Sequence, residues 1–314
     1  MAAPVYLFAG FLDSGKTTLI MDTLNDKDFM KGVGRTLILC FEQGETEYTE
    51  EFLDEHNAFI EFFEASTQLT KEKMQELDTI YHPDQVFIEY NGSEVISETI
   101  LRDMPPFWPL VEILTTVDAS TFAQYIQNMR SIMFEQIRWA DVVICNRCTP
   151  DTSASLLRGN IKAMNKVAQI FYEGEFGAPV ELKGGLLPFD KKASVIDIND
   201  DDYGLWYMDA GEHPDDYEEK TVIVRGAYAE NLPGGYKQSF VLGRRAMVCC
   251  EADTSLCGIT VTGVKIEQLT KGNWYEVEGI LRGVPLENGA KTLVLYAQKI
   301  KNYPAPRDQY VYFS

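Results

Sequence analysis

Gly10-Phe11-Leu12-Asp13-Ser14-Gly15-Lys16-Thr17 is the most constraining stretch of this chain. It satisfies the pattern G-x-x-x-x-G-K-S/T at every fixed position. An apolar run, Val5-Tyr6-Leu7-Phe8-Ala9, precedes it, and a helix-like segment begins at Lys16. Between a strand and a helix, the backbone N–H groups of such a loop cradle nucleotide phosphates. Lys16 then reaches the outer phosphates and the Thr17 hydroxyl binds Mg²⁺. Gly10, Asp13, Ser14, Gly15, Lys16, Thr17 and Thr18 are therefore the expected nucleotide-binding residues, with GTP or ATP as substrate.

Outward from this loop, short apolar runs alternate with helix-like segments. Thr36-Leu37-Ile38-Leu39-Cys40, Gln85-Val86-Phe87-Ile88, Ile113-Leu114-Thr115-Thr116-Val117 and Asp141-Val142-Val143-Ile144-Cys145 fit strands buried on both faces. Residues 16–26, 49–57, 70–81 and 119–139 fit helices. A further helix over 153–166 and strand over 168–171 continue the alternation, which predicts a mainly parallel sheet covered by helices on both sides. Beyond residue 220 the pattern becomes short strands with Gly-rich turns, suiting a small OB-like β-barrel. The expected organisation is a P-loop NTPase domain over 1–192, an extended acidic linker over 193–219, and a barrel over 220–314. Trp206, Tyr207 and Met208 suggest that part of the acidic stretch docks on a neighbouring domain.

Two further segments belong with the phosphate loop. Glu89-Tyr90-Asn91-Gly92 follows the third predicted strand, where an NTPase places the carboxylate that holds Mg²⁺, and Gly92 lets a backbone N–H face the terminal phosphate. Glu42-Gln43-Gly44-Glu45 follows the second strand, at the position of a switch loop. Lys16, Glu42 and Glu89 are the candidate catalytic residues, and Thr17 and Glu89 the candidate Mg²⁺ ligands.

Composition limits the function classes. The 314 residues carry 48 acidic and 28 basic side chains, a formal net charge of -20. Such a polyanion is repelled by nucleic acid and anionic membranes. No apolar run approaches the roughly 20 residues that span a bilayer, and the N-terminus lacks the basic and apolar regions of a signal peptide. Six cysteines are too sparse for a disulfide scaffold, so a reduced, cytoplasmic setting is expected.

Taken in order, these motifs resemble the CobW family, relatives of UreG and HypB. The family's loop commonly reads G-F-L-G-A/S-G-K-T-T-L, its switch N-E-x-G-E and its third-strand motif E-x-x-G. Thr116-Val117-Asp118-Ala119 is similar to its V-V-D-A, and Ala140-Asp141-Val142-Val143-Ile144-Cys145-Asn146 to the run before the base-recognition loop. Over about residues 4–190 the resemblance implies a P-loop GTPase fold of the SIMIBI type, hydrolysis of a nucleoside triphosphate, and a role near metal delivery. Asn146 and Arg147 then fall at the base site.

Three departures stand out. The family's C-x-C-C metal motif is missing, since residues 61–69 contain no cysteine. The guanine motif N-K-x-D reads Asn146-Arg147-Cys148-Thr149, and a threonine cannot form the bidentate, charge-assisted pair that an aspartate makes with guanine. Base preference therefore stays open between GTP and ATP, with Arg147 able to stack on a base face. Phe41 stands where the family usually has asparagine, which points to slow or altered hydrolysis.

Cys145 and Cys148 have C-x-x-C spacing, but the pair follows a strand and supplies only two ligands, so core packing is the plainer reading. Cys249-Cys250-Glu251-Ala252-Asp253 is different. With residues 241–248 before it and Tyr310-Val311-Tyr312 at the end, it resembles the C-terminal domain of YcgQ-type proteins regarded as permease subunits. That resemblance, over about 220–314, implies a tie to metal homeostasis and makes Cys249, Cys250 and Cys257 candidate Zn²⁺ ligands. His56, His82 and His213 lack ligand spacing and read as surface residues.

The leading expectation is thus a Mg²⁺-dependent nucleotide-hydrolysing switch linked to metal homeostasis or metal delivery, serving a client metalloprotein or another protein partner. The competing one is a nucleotide-dependent protein-binding module with little turnover and no transition-metal cargo.

Overall fold

The computed structural model describes residues 2–96, 98–182, 187–232, 238–247, 254–286, 291–307 and 309–311. The chain divides into two compact units, Met1–Thr152 with Met164–Lys183, and Ser153–Ala163 with Gly184–Ser314.

In chain order the elements alternate much as the apolar runs predict: β1 (Val5–Ala9), α1 (Lys16–Asn25), β2 (Thr36–Cys40), α2 (Glu50–Glu55), β3 (Ala58–Phe62), α3 (Lys71–Tyr81), β4 (Gln85–Glu89), α4 (Glu98–Arg102), β5 (Leu110–Asp118), α5 (Phe122–Asn128), α6 (Arg130–Ile137), β6 (Val142–Asn146), α7 (Ala154–Met164) and β7 (Gln169–Tyr172); all belong to the first unit except α7, which falls almost wholly in the second. The seven strands form one sheet in the order β3-β2-β4-β1-β5-β6-β7, and every pairing is parallel. All residues of β2 and β4 are buried. Leu7, Leu37, Val86 and Ile88 pack on one face of the sheet, and Phe8, Ile38 and Phe87 pack with Ile20 of α1 on the other. Each such side chain contributes about 1.5–3 kcal/mol on burial. α2 and α3 start where a hydroxyl satisfies a free N–H: Thr49 accepts from Phe52 N–H and Thr70 from Lys73 N–H.

This topology sets the site. β1 is central, flanked by β4 and β5, so the phosphate loop leaves the sheet beside the C-terminal ends of these two strands, with β2 next beyond β4. Ligands bind at that edge in open α/β sheets.

The second unit contains β8 (Val195–Asp197), α8 (Tyr203–Glu212), β9 (Thr221–Asn231), β10 (Ser239–Met247), β11 (Thr254–Thr262), β12 (Trp274–Pro285), β13 (Lys291–Asn302) and β14 (Tyr310–Val311). β9-β10-β11-β13-β12 run in that order, and β12 pairs back onto β9 to close a five-stranded barrel. β11 and β13 are parallel and the other barrel pairings antiparallel, the OB-like arrangement expected. β8 and β14 extend it at the sides.

Two expectations are corrected. Residues 193–219, read from their acidity as an extended linker, are folded: they include β8, α8 and a short 3₁₀ turn at Pro214–Tyr217. Tyr203, Trp206 and Tyr217 are fully buried in the barrel core. The expected self-repulsion is cancelled by cations of the same unit. Arg244 pairs with Asp200, Arg225 with Asp197, Lys191 with Asp209 and Asp216, and Lys291 with Asp215 and Glu218. The predicted helix over 119–139 is two helices, α5 and α6, broken at Met129 with φ −134°.

Candidate functional site

The phosphate loop is held by one side chain of α6 and one of β5. Gly10 N–H donates to Gln136 Oε1 at 3.2 Å, and the Ser14 and Thr116 hydroxyls are 2.6 Å apart. Gly15 has φ +103°, and a Cβ there would lie 2.5 Å from Asn146 Nδ2. Only glycine takes this conformation without strain, and only glycine leaves room for Asn146. Asp13 adopts φ +56° where the family pattern has glycine. Its Oδ1 accepts the Glu45 N–H at 3.0 Å, tying the loop to the segment after β2.

Lys16 is 3% exposed although it carries a charge. Its ammonium donates to Gly10 O at 3.0 Å, Phe11 O at 2.9 Å and Glu42 Oε2 at 2.7 Å. The same Glu42 Oε2 accepts the Gly92 N–H at 3.3 Å. Two donors assigned to the outer phosphates thus converge on one carboxylate oxygen. Gly92 is required by close approach, since a Cβ would lie 2.2 Å from Gly10 O. The cavity here has a volume of only ≈ 60 Å³, lined by Lys16, Thr17, Glu42, Glu89 and Arg147 among others.

Behind Lys16 lies a second carboxylate. Thr17 Oγ1 donates to Glu89 Oε1 at 2.6 Å and the Tyr48 hydroxyl to Glu89 Oε2 at 2.6 Å. Burial raises the Glu89 carboxyl above its ordinary range, against the pull of these two hydrogen bonds and of Lys16. Burial and the adjacent Glu89 push the Cys40 thiol up to about 12 and the Tyr48 phenol upward too. Phe41 is a packing residue here, stacked on Phe63 with ring centroids 4.9 Å apart.

At the expected base site, Asn146 Nδ2 donates to Ser14 O at 2.6 Å, while its buried Oδ1 has no hydrogen-bond partner. Arg147, at φ +51°, is fixed by Asp118 Oδ2 at 2.7 Å and by Asp13 O at 2.9 Å. Thr149 N–H donates to Thr152 Oγ1 at 2.8 Å, a local turn contact. The structure therefore brings together Gly10, Asp13, Ser14, Gly15, Lys16, Thr17, Glu42, Glu89, Gly92, Asn146 and Arg147, with Thr18 beside them. Sequence reading missed Tyr48, which follows no motif, and the pairing of Asp118 with Arg147.

The cysteines stand apart. Cys145 and Cys148 are buried, and Cys148 Sγ donates to Cys145 O at 3.3 Å. Cys257 is 6% exposed within the barrel core. Cys249 and Cys250 lie outside the described residues. Among the described residues no group of three or more His, Cys, Asp or Glu side chains is arranged to hold a metal ion, and no helix is long and apolar enough to cross a membrane.

A loop of this geometry between β1 and α1, on a seven-stranded parallel sheet, defines a P-loop nucleotide-binding fold. The model of the CobW/HypB/UreG nucleotide-binding domain matches residues 4–172, and the chain belongs to this family. A second model, the DUF1980 C-terminal domain, matches residues 185–313, a longer stretch than the 220–314 of the YcgQ-type resemblance. Solved structures that are similar include the hydrogenase maturation factor HypB from Archaeoglobus fulgidus, with 18% identity, 55% of this chain and 81% of that one covered, and a TM-score of 0.39. A Zn(II)-bound triple mutant of the YjiA GTPase has 13% identity, coverage of 98% and 92%, and a TM-score of 0.43. FlhF complexed with GMPPNP and Mg²⁺ has 14% identity, coverage of 57% and 69%, and a TM-score of 0.37. No curated protein sequence matches the chain significantly.

Proposed function

We propose that this protein is a Mg²⁺-dependent switch that binds and hydrolyses a nucleoside triphosphate, works in metal homeostasis or metal delivery to a client protein, and is set by residues 42–48. The observation that carries this reading is the double contact of Glu42 Oε2 with Lys16 Nζ and Gly92 N–H. A carboxylate held by these donors stands in for a terminal phosphate oxygen. An incoming triphosphate, more highly charged, competes for the same two donors and expels Glu42. Glu45 and Tyr48, anchored on Asp13 and Glu89, are on the same short segment. Displacing Glu42 therefore strains the remaining two anchors, which gives the segment two discrete arrangements.

The oxygens at Thr17 and Glu89 suit Mg²⁺. A hydroxyl and a buried carboxylate converge within 2.6 Å, and both are hard donors of the kind this ion prefers. Thr17 and Glu89 would hold it, directly or through water, and when bound it supplies charge neutralisation at the outer phosphates. Lys16 orients those phosphates, and Glu42, once released, is available to position water. Asn146, with its free Oδ1, and Arg147 are left to meet the base.

The metal role rests on the family and on Cys249, Cys250 and Cys257 as cargo ligands. Calorimetric titration with GTP and with ATP, in Mg²⁺ with and without equimolar Zn²⁺, tests it. Coupled sites are reciprocal, so nucleotide affinity that rises with zinc supports a metal-handling switch. Affinity indifferent to zinc contradicts the metal part and leaves the nucleotide part standing.

A further inference from the structure

A second cavity, of ≈ 630 Å³, opens on the barrel unit, within the range of small-ligand sites. Its lining is unlike the rest of this acidic chain. Among the described residues, Arg244, Arg245, Lys271 and Arg307 face it with one carboxylate, Glu230. Three of the four cations lack a counter-charge: Arg245, Lys271 and Arg307 make no ion pair among the described residues. Among the described residues, Arg245 Nη1 donates to Thr254 Oγ1, at 3.1 Å.

Arg244 supplies the rigid wall. It is 3% exposed, and its guanidinium centre lies 5.1 Å from the Trp274 ring and 4.8 Å from the Tyr203 ring. Its Nε donates to Arg225 O at 2.8 Å and its Nη1 to Asp200 O at 3.1 Å. Stacked and bonded in this way, it cannot turn away into solvent. Cations unpaired among the described residues and gathered around one concavity repel one another, and the arrangement is relieved by a ligand that brings negative charge. Planar guanidinium groups favour phosphate and carboxylate, which they bind through two parallel hydrogen bonds.

We infer that this cavity is a binding site for a small organic polyanion carrying two or more phosphate or carboxylate groups. The cations come from different places in the chain: Arg245 from β10, Lys271 from the turn before β12, and Arg307 from the segment before β14. One ligand therefore bridges several elements of the barrel.

The test uses the full chain carrying Lys16→Ala, so that the phosphate loop does not contribute. Calorimetry with pyrophosphate and with citrate separates phosphate from carboxylate recognition. At least one should bind, and adding Lys271→Ala and Arg307→Ala should weaken it by about tenfold or more, or roughly 1.4 kcal/mol. Both residues are exposed, so an unchanged melting curve should accompany the loss. Absence of binding by either anion overturns the inference, as does binding that survives the double substitution. Single-stranded oligothymidylate binding about tenfold tighter than both anions would also overturn it, by making the cavity part of a nucleic-acid groove.

Discussion

Lys16 Nζ lies 2.7 Å from Glu42 Oε2, with the two side chains 3% and 13% exposed. The ion pair is at the centre of the proposed phosphate site, so the lysine proposed to serve the nucleotide is held by the chain itself. Removing the charge at Glu42 should therefore strengthen nucleotide binding. Glu42→Gln keeps an oxygen for Gly92 N–H but ends the ion pair. The expected gain is about 1–2 kcal/mol, roughly five- to thirtyfold in affinity, read by calorimetry in Mg²⁺. Unchanged or weaker binding would show that Glu42 does not compete with phosphate.

Gly15 and Gly92 should tolerate nothing larger. Gly15→Ala places a side chain at φ +103° and 2.5 Å from Asn146, at a cost of about 1–3 kcal/mol from conformation alone. Gly92→Ala meets Gly10 O and the Phe11 backbone. Both variants should lose nucleotide binding, whereas Gly32→Ala, with open space around it but φ +84°, should lower the melting temperature and leave binding intact. Wild-type affinity in Gly92→Ala would contradict the close approach.

Glu89 gives a pH signature. Its carboxyl titrates above the ordinary range because burial disfavours the charged form. The folded protein then binds this proton more tightly than the unfolded chain, so stability contributed at Glu89 falls as pH rises from the unfolded to the folded pKa. Above that window the loss is complete. Denaturation of wild type and Glu89→Gln across the acid range should show a difference that favours the variant increasingly as pH rises. Parallel curves would refute a raised carboxyl. Mg²⁺-nucleotide binding should move the opposite way, weakening as Glu89 becomes protonated.

Cys40 should be inert. With its thiol pushed up to about 12, the thiolate population near pH 8 is roughly a thousandfold below that of a free cysteine. Alkylation followed by peptide mapping should find Cys40 labelled only after unfolding. Rapid labelling in the native protein would mean that the 42–48 segment does not cover it.

Much of this site is legible in the sequence, because the phosphate loop, Glu42 and Glu89 each follow a strand whose apolar run is buried on both faces and is therefore continuous. β3 is not legible in the same way. It is an edge strand with Phe59 and Phe62 exposed, and its mixed run Ala58-Phe59-Ile60-Glu61-Phe62 gives no clear period. α8 is hidden by the acids around it, since their neutralising partners lie far along the chain, Asp200 meeting Arg244 and Asp215 meeting Lys291. Tyr48 is silent for a related reason. Its role comes from contact with Glu89 across the sheet edge, and nothing near residue 48 announces it.

Hydrogen–deuterium exchange of residues 42–48 and of the Gly92 amide, with and without Mg²⁺ and a non-hydrolysable nucleotide, tests the switch most directly. The Glu45 N–H donates to Asp13 and the Gly92 N–H donates to Glu42. Saturating nucleotide should raise exchange at Glu45 as the segment is released and protect Gly92 as phosphate replaces the carboxylate. Exchange unchanged at both amides, in a sample that calorimetry shows to be saturated, would contradict the account.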